Sequence, residues 1–266
     1  LVYLGVPAMI VNSYRMEFSM EILHNLLASF GMSLLVLLIG TGITLALTAR
    51  RKDSRTPIFR FACIFSNAAY MGFPLISALF GSEGLLYASA YVTVFNILLW
   101  TVGFGMITGT VEPKEVVRTV CTNPVLIAVV IGLVIYLCQI PVPEVIEQPL
   151  ALIGNMNTPL SMIITGMMIA GSNLAQMLCD RRILSVMGIR MLLIPAVCFA
   201  LFFACGFSGM AAGVVLLLEA CPSAAITSVF AVQYSYDEEF AAGSVVITTL
   251  LSIVILPVCA MLLPGM

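Results

Sequence analysis

The chain has 266 residues, of which 61% are hydrophobic and only 9% are charged, and its formal net charge is −2. A soluble domain carries about 25% charged residues, so this chain could not cover its surface with polar groups in water. The composition excludes an ordinary soluble enzyme and provides no basic surface for nucleic acid. It predicts an all-α integral membrane protein whose main surroundings are the lipid bilayer.

Apolar stretches follow one another along the chain with only short polar connections, and about 20 helical residues cross a bilayer core. Hydropathy therefore predicts nine membrane spans, at residues 1–14, 25–49, 57–80, 85–109, 117–138, 149–171, 183–206, 210–234 and 240–263. No connection is long enough to separate domains. We expect a single multi-pass unit embedded in the membrane.

Basic residues are distributed unequally between the two sides of this predicted topology. Alternating the loops places only Arg15 on one side and ten basic residues on the other: Arg50, Arg51, Lys52, Arg55, Arg60, Lys114, Arg118, Arg181, Arg182 and Arg190. Positively charged loops stay in the cytoplasm, so the basic side is predicted to face inward. The C-terminus is then expected outside the cytoplasmic membrane of the cell.

The two halves of the chain share an order of elements. A shift of about 152 to 154 residues places Pro7 of LGVPAM on Pro159 of NTPLSM. Spans one to four then pair with spans six to nine in opposite orientation, as in transporters built from inverted repeats. The span at 117–138 has no partner, and one further helix before Leu1 would complete a five-plus-five architecture.

The third predicted span contains three residues that are unusual in an apolar helix: Asn67, Gly72 and Pro74. Proline removes a backbone donor and glycine tolerates non-helical dihedral angles. We expect an interruption near Gly72 and Pro74 and treat the three residues as candidates for binding substrate or ion. The alternative is a simple kink that serves helix packing.

The eighth predicted span is similar, because Pro222 lies within it, close to Glu219, Ser223 and Thr227. A second interruption is expected at Pro222, and these four residues are further binding candidates. Unwound backbone in a membrane needs protein or water to satisfy its polar groups, and the exposed helix ends can then bind ligands. Two interruptions at corresponding places favour a site over packing kinks.

Glu219 is the most informative single residue. A charged side chain at the bilayer centre costs about 2.5 to 3.5 kcal/mol on insertion scales, so it needs a partner, a proton or water. It could bind a coupling proton or sodium ion, or it could lie high in the span and reach water. Arg190 is expected to extend toward the cytoplasmic face rather than bind substrate.

Several segments resemble the auxin efflux carrier family, which includes bacterial organic-anion permeases. They are SNAAYMGFPLISALFG, the pair Asn123-Pro124, EACPSAAITSVFAVQYSYD and SVVITTLLSIVILP. The resemblance implies ten helices, two of them broken and crossing at mid-membrane, and this chain lacks the first. It also implies scaffold helices at 1–14 and 117–171 and transport helices at 25–109 and 183–263.

These observations predict a secondary transporter that moves a small organic anion, such as a dicarboxylate or an auxin-like carboxylate, by alternating access. No cofactor is expected apart from the coupling ion, and a homodimer is a candidate assembly. The alternatives are an intramembrane enzyme and a passive channel. An enzyme would need a Ser/His pair, paired Asp residues or a metal within the membrane, and His24 is the only histidine.

Overall fold

The computed structural model describes residues 3–51, 53–110 and 112–263; Leu1, Val2 and Lys52, which belong to the predicted first span and the basic loop, lie outside it. The described residues form helices and no β-strand beyond one isolated bridge. The helices of the first half are α1 (Gly5–Ser13), α2 (Met20–Thr48), α3 (Thr56–Ile64), α4 (Phe73–Leu98), α5 (Phe104–Thr108), α6 (Pro113–Thr122) and α7 (Pro124–Cys138). Those of the second half are α8 (Glu144–Asn155), α9 (Asn157–Ala170), α10 (Leu174–Cys179), α11 (Arg181–Met187), α12 (Ile194–Cys205), α13 (Met210–Glu219), α14 (Ile226–Gln233) and α15 (Glu238–Leu262).

Within the described ranges, five helical runs are long and apolar enough to cross a membrane: Met20–Thr48, Ala68–Thr108, Glu144–Ala170, Arg181–Cys205 and Glu238–Leu262. A sixth candidate is a pair of helices, Val116–Thr122 and Pro124–Cys138, that bends by 54°. The chain is thus an all-helical protein with several helices of membrane-spanning length. Four of the runs lie at the predicted spans 25–49, 149–171, 183–206 and 240–263.

The bend between α6 and α7 occurs within the predicted span 117–138. Asn123 caps α7, since its side-chain oxygen accepts a 2.9 Å hydrogen bond from the Val125 amide. Pro124 occupies the first turn of α7, where no amide donor is needed. The Asn-Pro pair therefore starts a new helix instead of continuing the preceding one.

Gly81 divides the long run Ala68–Thr108 into two parts. Its backbone angles are φ 63° and ψ −149°, a combination that is open essentially only to glycine. The predicted loop GSEG begins at this residue. The predicted separation between the spans 57–80 and 85–109 is therefore made by one glycine and not by a longer loop.

The first helix interruption lies earlier than the sequence predicted. Helix α3 ends at Ile64, Phe65 is extended, and the chain resumes as a π-helical turn at Ala68–Gly72. The prediction of a break near Gly72 and Pro74 was wrong in position. Pro74 lies in the first turn of α4, where its missing amide hydrogen is tolerated, so it does not break the helix.

The second interruption lies where it was predicted, around Pro222. Helix α13 ends at Glu219, α14 begins at Ile226, and residues 220–225 between them are not helical.

The helices pack in two groups: α13 packs against α2 and α4, and α1 packs against α7 and α8. Both helix breaks thus lie next to the buried core formed by α2, α4 and α13.

Candidate functional site

The two helix breaks are paired with each other through their backbones. The Asn67 amide donates a 2.8 Å hydrogen bond to the Pro222 carbonyl, and the Ala224 amide donates a 2.9 Å hydrogen bond to the Phe65 carbonyl. Ser66 and Ser223 form an antiparallel bridge between these bonds. Each break therefore satisfies backbone groups of the other, which is what allows unwound chain to exist away from water.

This crossing brings four helix ends into one place. Helices α3 and α13 end there with their carbonyl groups, while the turn at Ala68–Gly72 and helix α14 begin there with their amide groups. A helix carries roughly half a positive charge at its N-terminus and half a negative charge at its C-terminus. The crossing therefore offers separate places for an anion and a cation.

Glu219, the last residue of α13, is fully buried, so the alternative that it reaches water is not what the structure shows. Its Oε1 accepts a 3.0 Å hydrogen bond from Arg190 Nη1, and its Oε2 accepts a 2.7 Å bond from the Tyr91 hydroxyl. A Cβ atom placed on Gly40 of α2 would lie 3.3 Å from Oε1. Because Gly40 has no side chain, it leaves room for the Glu219 carboxylate.

Arg190 is also fully buried, and the prediction that it extends to the cytoplasmic face was wrong. Its Nε donates to the Cys221 carbonyl at 3.1 Å, and its Nη1 donates to the carbonyls of Cys63 and Ile64 at 3.3 and 3.0 Å. Nη2 donates to the Glu219 carbonyl. One guanidinium thus joins the C-terminal ends of both broken helices as well as the buried carboxylate.

Tyr91 of α4 connects Glu219 to the first break. Its hydroxyl lies 2.9 Å from Ser66 Oγ, and because that hydroxyl donates to Glu219, Ser66 is left to donate to it. The resulting order is Ser66, Tyr91, Glu219. Neither Tyr91 nor Ser66 was identified from the sequence, since an aromatic or small polar residue in an apolar helix is more often a packing residue.

Ser223 has a structural part in the second break. Its amide donates a 3.1 Å bond to Thr248 Oγ1 of α15, and its hydroxyl donates a 2.8 Å bond to the Ala62 carbonyl of α3. Thr227 differs, because its buried hydroxyl has no hydrogen-bond partner among the described residues, and the same is true of Ser228 Oγ. Both hydroxyls lie in the first turn of α14.

The remaining predicted site residues lie at different distances from the crossing. Asn67 is in the first break and is buried, and it immediately precedes the π-helical turn. A Cβ atom on Gly72 would clash with Leu218 of α13, so this glycine allows the two broken helices to approach closely. Pro74 is buried in α4 beyond that turn and is not part of the crossing.

A separate cavity of about 400 Å³ lies beside charged residues of the predicted cytoplasmic side. Arg55 pairs with Asp237 and, at 3.6 Å, with Asp180, and all three residues line the cavity. Among the residues that the structure describes, no group of three or more His, Cys, Asp or Glu side chains could hold a metal ion.

Comparisons with known proteins identify the family of this chain. A family described as membrane transport protein matches residues 1–119 and 113–260. An uncharacterized transporter of Methanothermobacter thermautotrophicus is 26% identical over 228 residues, covering 84% of this chain and 74% of that protein. An uncharacterized transporter of Methanocaldococcus jannaschii is 24% identical over 210 residues, covering 77% and 68%. The chain belongs to the membrane transport protein family, the group of the auxin efflux carriers that its motifs resemble.

Proposed function

We propose that this chain is a secondary active transporter that moves a small organic anion across the cytoplasmic membrane by alternating access. The observation that carries the proposal is the pair of helix breaks, joined by the Asn67–Pro222 and Ala224–Phe65 hydrogen bonds. Discontinuous helices that meet in this way form the binding sites of secondary transporters. Membership in a transport family supports the same conclusion.

The proposed architecture has nine spans in this chain and an inverted five-plus-five repeat, with both breaks at equivalent places in the two halves. Residues 1–14 and 117–171 form the scaffold, and residues 25–109 and 183–263 form the transport part. The packing of α1 against α7 and α8 supports this division. The C-terminus lies outside the cell, and the scaffold offers a surface for a homodimer.

The chemistry of the crossing favours an anionic substrate. Helix N-termini attract anions through their free amide groups and the helix dipole. At the start of α14, Thr227 and Ser228 add two buried hydroxyls without partners among the described residues. A carboxylate would accept hydrogen bonds from both, so dicarboxylates and auxin-like carboxylates are the proposed substrate class. Asn67, at the other N-terminal end, is placed to contribute an amide.

Coupling in this proposal involves Glu219, which would bind a proton or a sodium ion as the transporter changes state. A buried carboxylate between two broken helices is the kind of residue that responds to a driving ion. Its hydrogen bonds to Arg190 and Tyr91 would have to change when an ion binds. Binding at Glu219 would therefore be transmitted to the ends of both breaks.

The test is uptake of radiolabelled malonate, malate and indole-3-acetate into proteoliposomes that contain the purified protein. The variant Thr227→Val/Ser228→Ala should lower saturable uptake severalfold, because the carboxylate loses both hydroxyl donors. Thr44→Val is the matched control, since Thr44 Oγ1 is also buried without a partner among the described residues but belongs to α2, outside both helix breaks. Non-saturable flux would indicate a channel, and absence of counterflow with every anion would reject the proposal.

A further inference from the structure

The Arg190 guanidinium lies in a closed space, here called the enclosure, and the polar atoms that contact it are hydrogen-bond acceptors. The guanidinium is fully buried and is contacted by carbonyl oxygens at the ends of α3 and α13 and by the Glu219 carboxylate. The Tyr91 hydroxyl donates to the other oxygen of Glu219, the one that does not contact Arg190. The acceptors come from three positions: the first break, the second break and the carboxylate between them.

Such a set of oxygens is the kind that binds an alkali cation. Carbonyl groups at the C-terminal ends of half-helices, completed by a carboxylate, coordinate sodium in transporters with broken helices. Hard cations such as Ca²⁺ prefer the same oxygen ligands. Without Arg190, the enclosure would hold one full negative charge and two negative helix ends, which a cation would have to neutralise.

A guanidinium can donate hydrogen bonds to the oxygens of this enclosure, which a free sodium ion cannot do. It is always charged, it is less strongly hydrated than an ammonium group, and its five N–H groups are fixed in a plane. In this chain Nε, Nη1 and Nη2 each donate to an oxygen of the enclosure. The π-helical segment Gly188–Leu193 carries Arg190 and sets its position on the helix.

We propose that the Arg190 guanidinium is the resident cation of the helix crossing: it occupies the position that a coupling sodium ion would take, so that sodium neither binds beside Glu219 nor drives transport. The inference rests on the proposed transport function and narrows its energy source. The charge of Glu219 is balanced by a group of the chain itself. The gradient that remains for coupling is that of protons or of the anion.

The first experiment uses the wild-type protein and needs no variant. Purified protein in detergent is titrated with ²²Na⁺, and its melting temperature is compared in sodium chloride and choline chloride at equal ionic strength. We expect no saturable sodium binding, no difference in melting temperature, and unchanged uptake when choline replaces sodium. Saturable sodium binding that Glu219→Gln abolishes would overturn the proposal.

The second experiment removes the resident cation. Arg190→Ala should lower the melting temperature by several degrees, and added methylguanidinium should restore part of the loss, whereas choline should not. Arg60→Ala is the control, because Arg60 donates to the Thr48 carbonyl at the end of α2 in a partly open position where water can replace it. Failure of methylguanidinium to act on a folded Arg190→Ala protein would overturn the assignment. If Arg190→Ala does not fold, the ²²Na⁺ titration of the wild type decides alone.

The two proposals can fail separately. In one case the liposomes take up no anion, the wild type binds no sodium, and methylguanidinium stabilises Arg190→Ala. The transport function is then rejected and the cation assignment stands. If uptake is saturable but requires sodium, the transport function stands and the cation assignment is rejected.

Discussion

The amide of Asn67 donates a 2.8 Å hydrogen bond to the carbonyl oxygen of Pro222, and this bond ties the first helix break to the second. Both residues lie away from water, so separating them would leave an unsatisfied donor and acceptor, at a cost of about 1 to 3 kcal/mol for each group. The breaks are therefore expected to move as one unit during transport, together with Arg190 and Glu219.

The Arg190–Glu219 pair should show strong energetic coupling. Removing one partner of a buried ion pair leaves an uncompensated charge and costs about 3 to 5 kcal/mol, whereas replacing both is often close to neutral. Arg190→Gln and Glu219→Gln should each lower the melting temperature in detergent, and the double variant should lose less than the sum of the two, although the carbonyls that Arg190 contacts stay without their donor. Additive losses in the double variant would show that the pair does not interact in the folded protein.

The role of Glu219 in coupling can be tested on the folded fraction of Glu219→Gln. The amide keeps the size of the side chain but removes the charge that a driving ion would neutralise, so accumulation against a gradient should collapse while counterflow survives in part. The measurement is uptake in proteoliposomes over a pH range of about 5.5 to 8, with and without sodium. The control is Glu83→Gln, a carboxylate that accepts a hydrogen bond from Tyr87 at the end of a span. Uptake equal to that of the wild type at every pH would show that Glu219 does not couple transport to a driving ion.

Thr248 should support the second break through its hydroxyl. Thr248→Val keeps the shape of the side chain but leaves the Ser223 amide without its 3.1 Å acceptor, which should cost about 1 to 3 kcal/mol and reduce transport. Thr249→Val is the matched control on the next residue, which has no such bond to either break among the described residues. Thermal melting and uptake are the two measurements, and equal behaviour of the two variants would contradict the expectation.

The predicted topology can be tested with two native cysteines. Cys138 ends α7 on the predicted outer side and Cys179 ends α10 on the predicted inner side, and both are exposed in the structure. In variants that retain only one of them, a membrane-impermeant maleimide added to intact cells should label Cys138 and spare Cys179 until the cells are permeabilised. Labelling of both from the same side would disprove the nine-span arrangement.

Much of the architecture follows from local features of the sequence. Apolar runs of span length predict the long helices such as Met20–Thr48, because a single helix can satisfy its own backbone in lipid. Proline within an apolar run predicts the second break, since Pro222 removes a donor in the middle of a helix. Four segments, of which MGFP and EACPSA are the most specific parts, together predicted the family.

Features that depend on contacts between distant segments were decided only by the tertiary structure. The first break lies at residues 65–67 because their backbone groups find partners in the second break, a reason that no local preference of Gly72 or Pro74 contains. Arg190 turns inward because two helix ends and Glu219 supply acceptors. Composition and periodicity show where helices form and weaken, but the partner of a buried polar group is set by which elements the fold brings together.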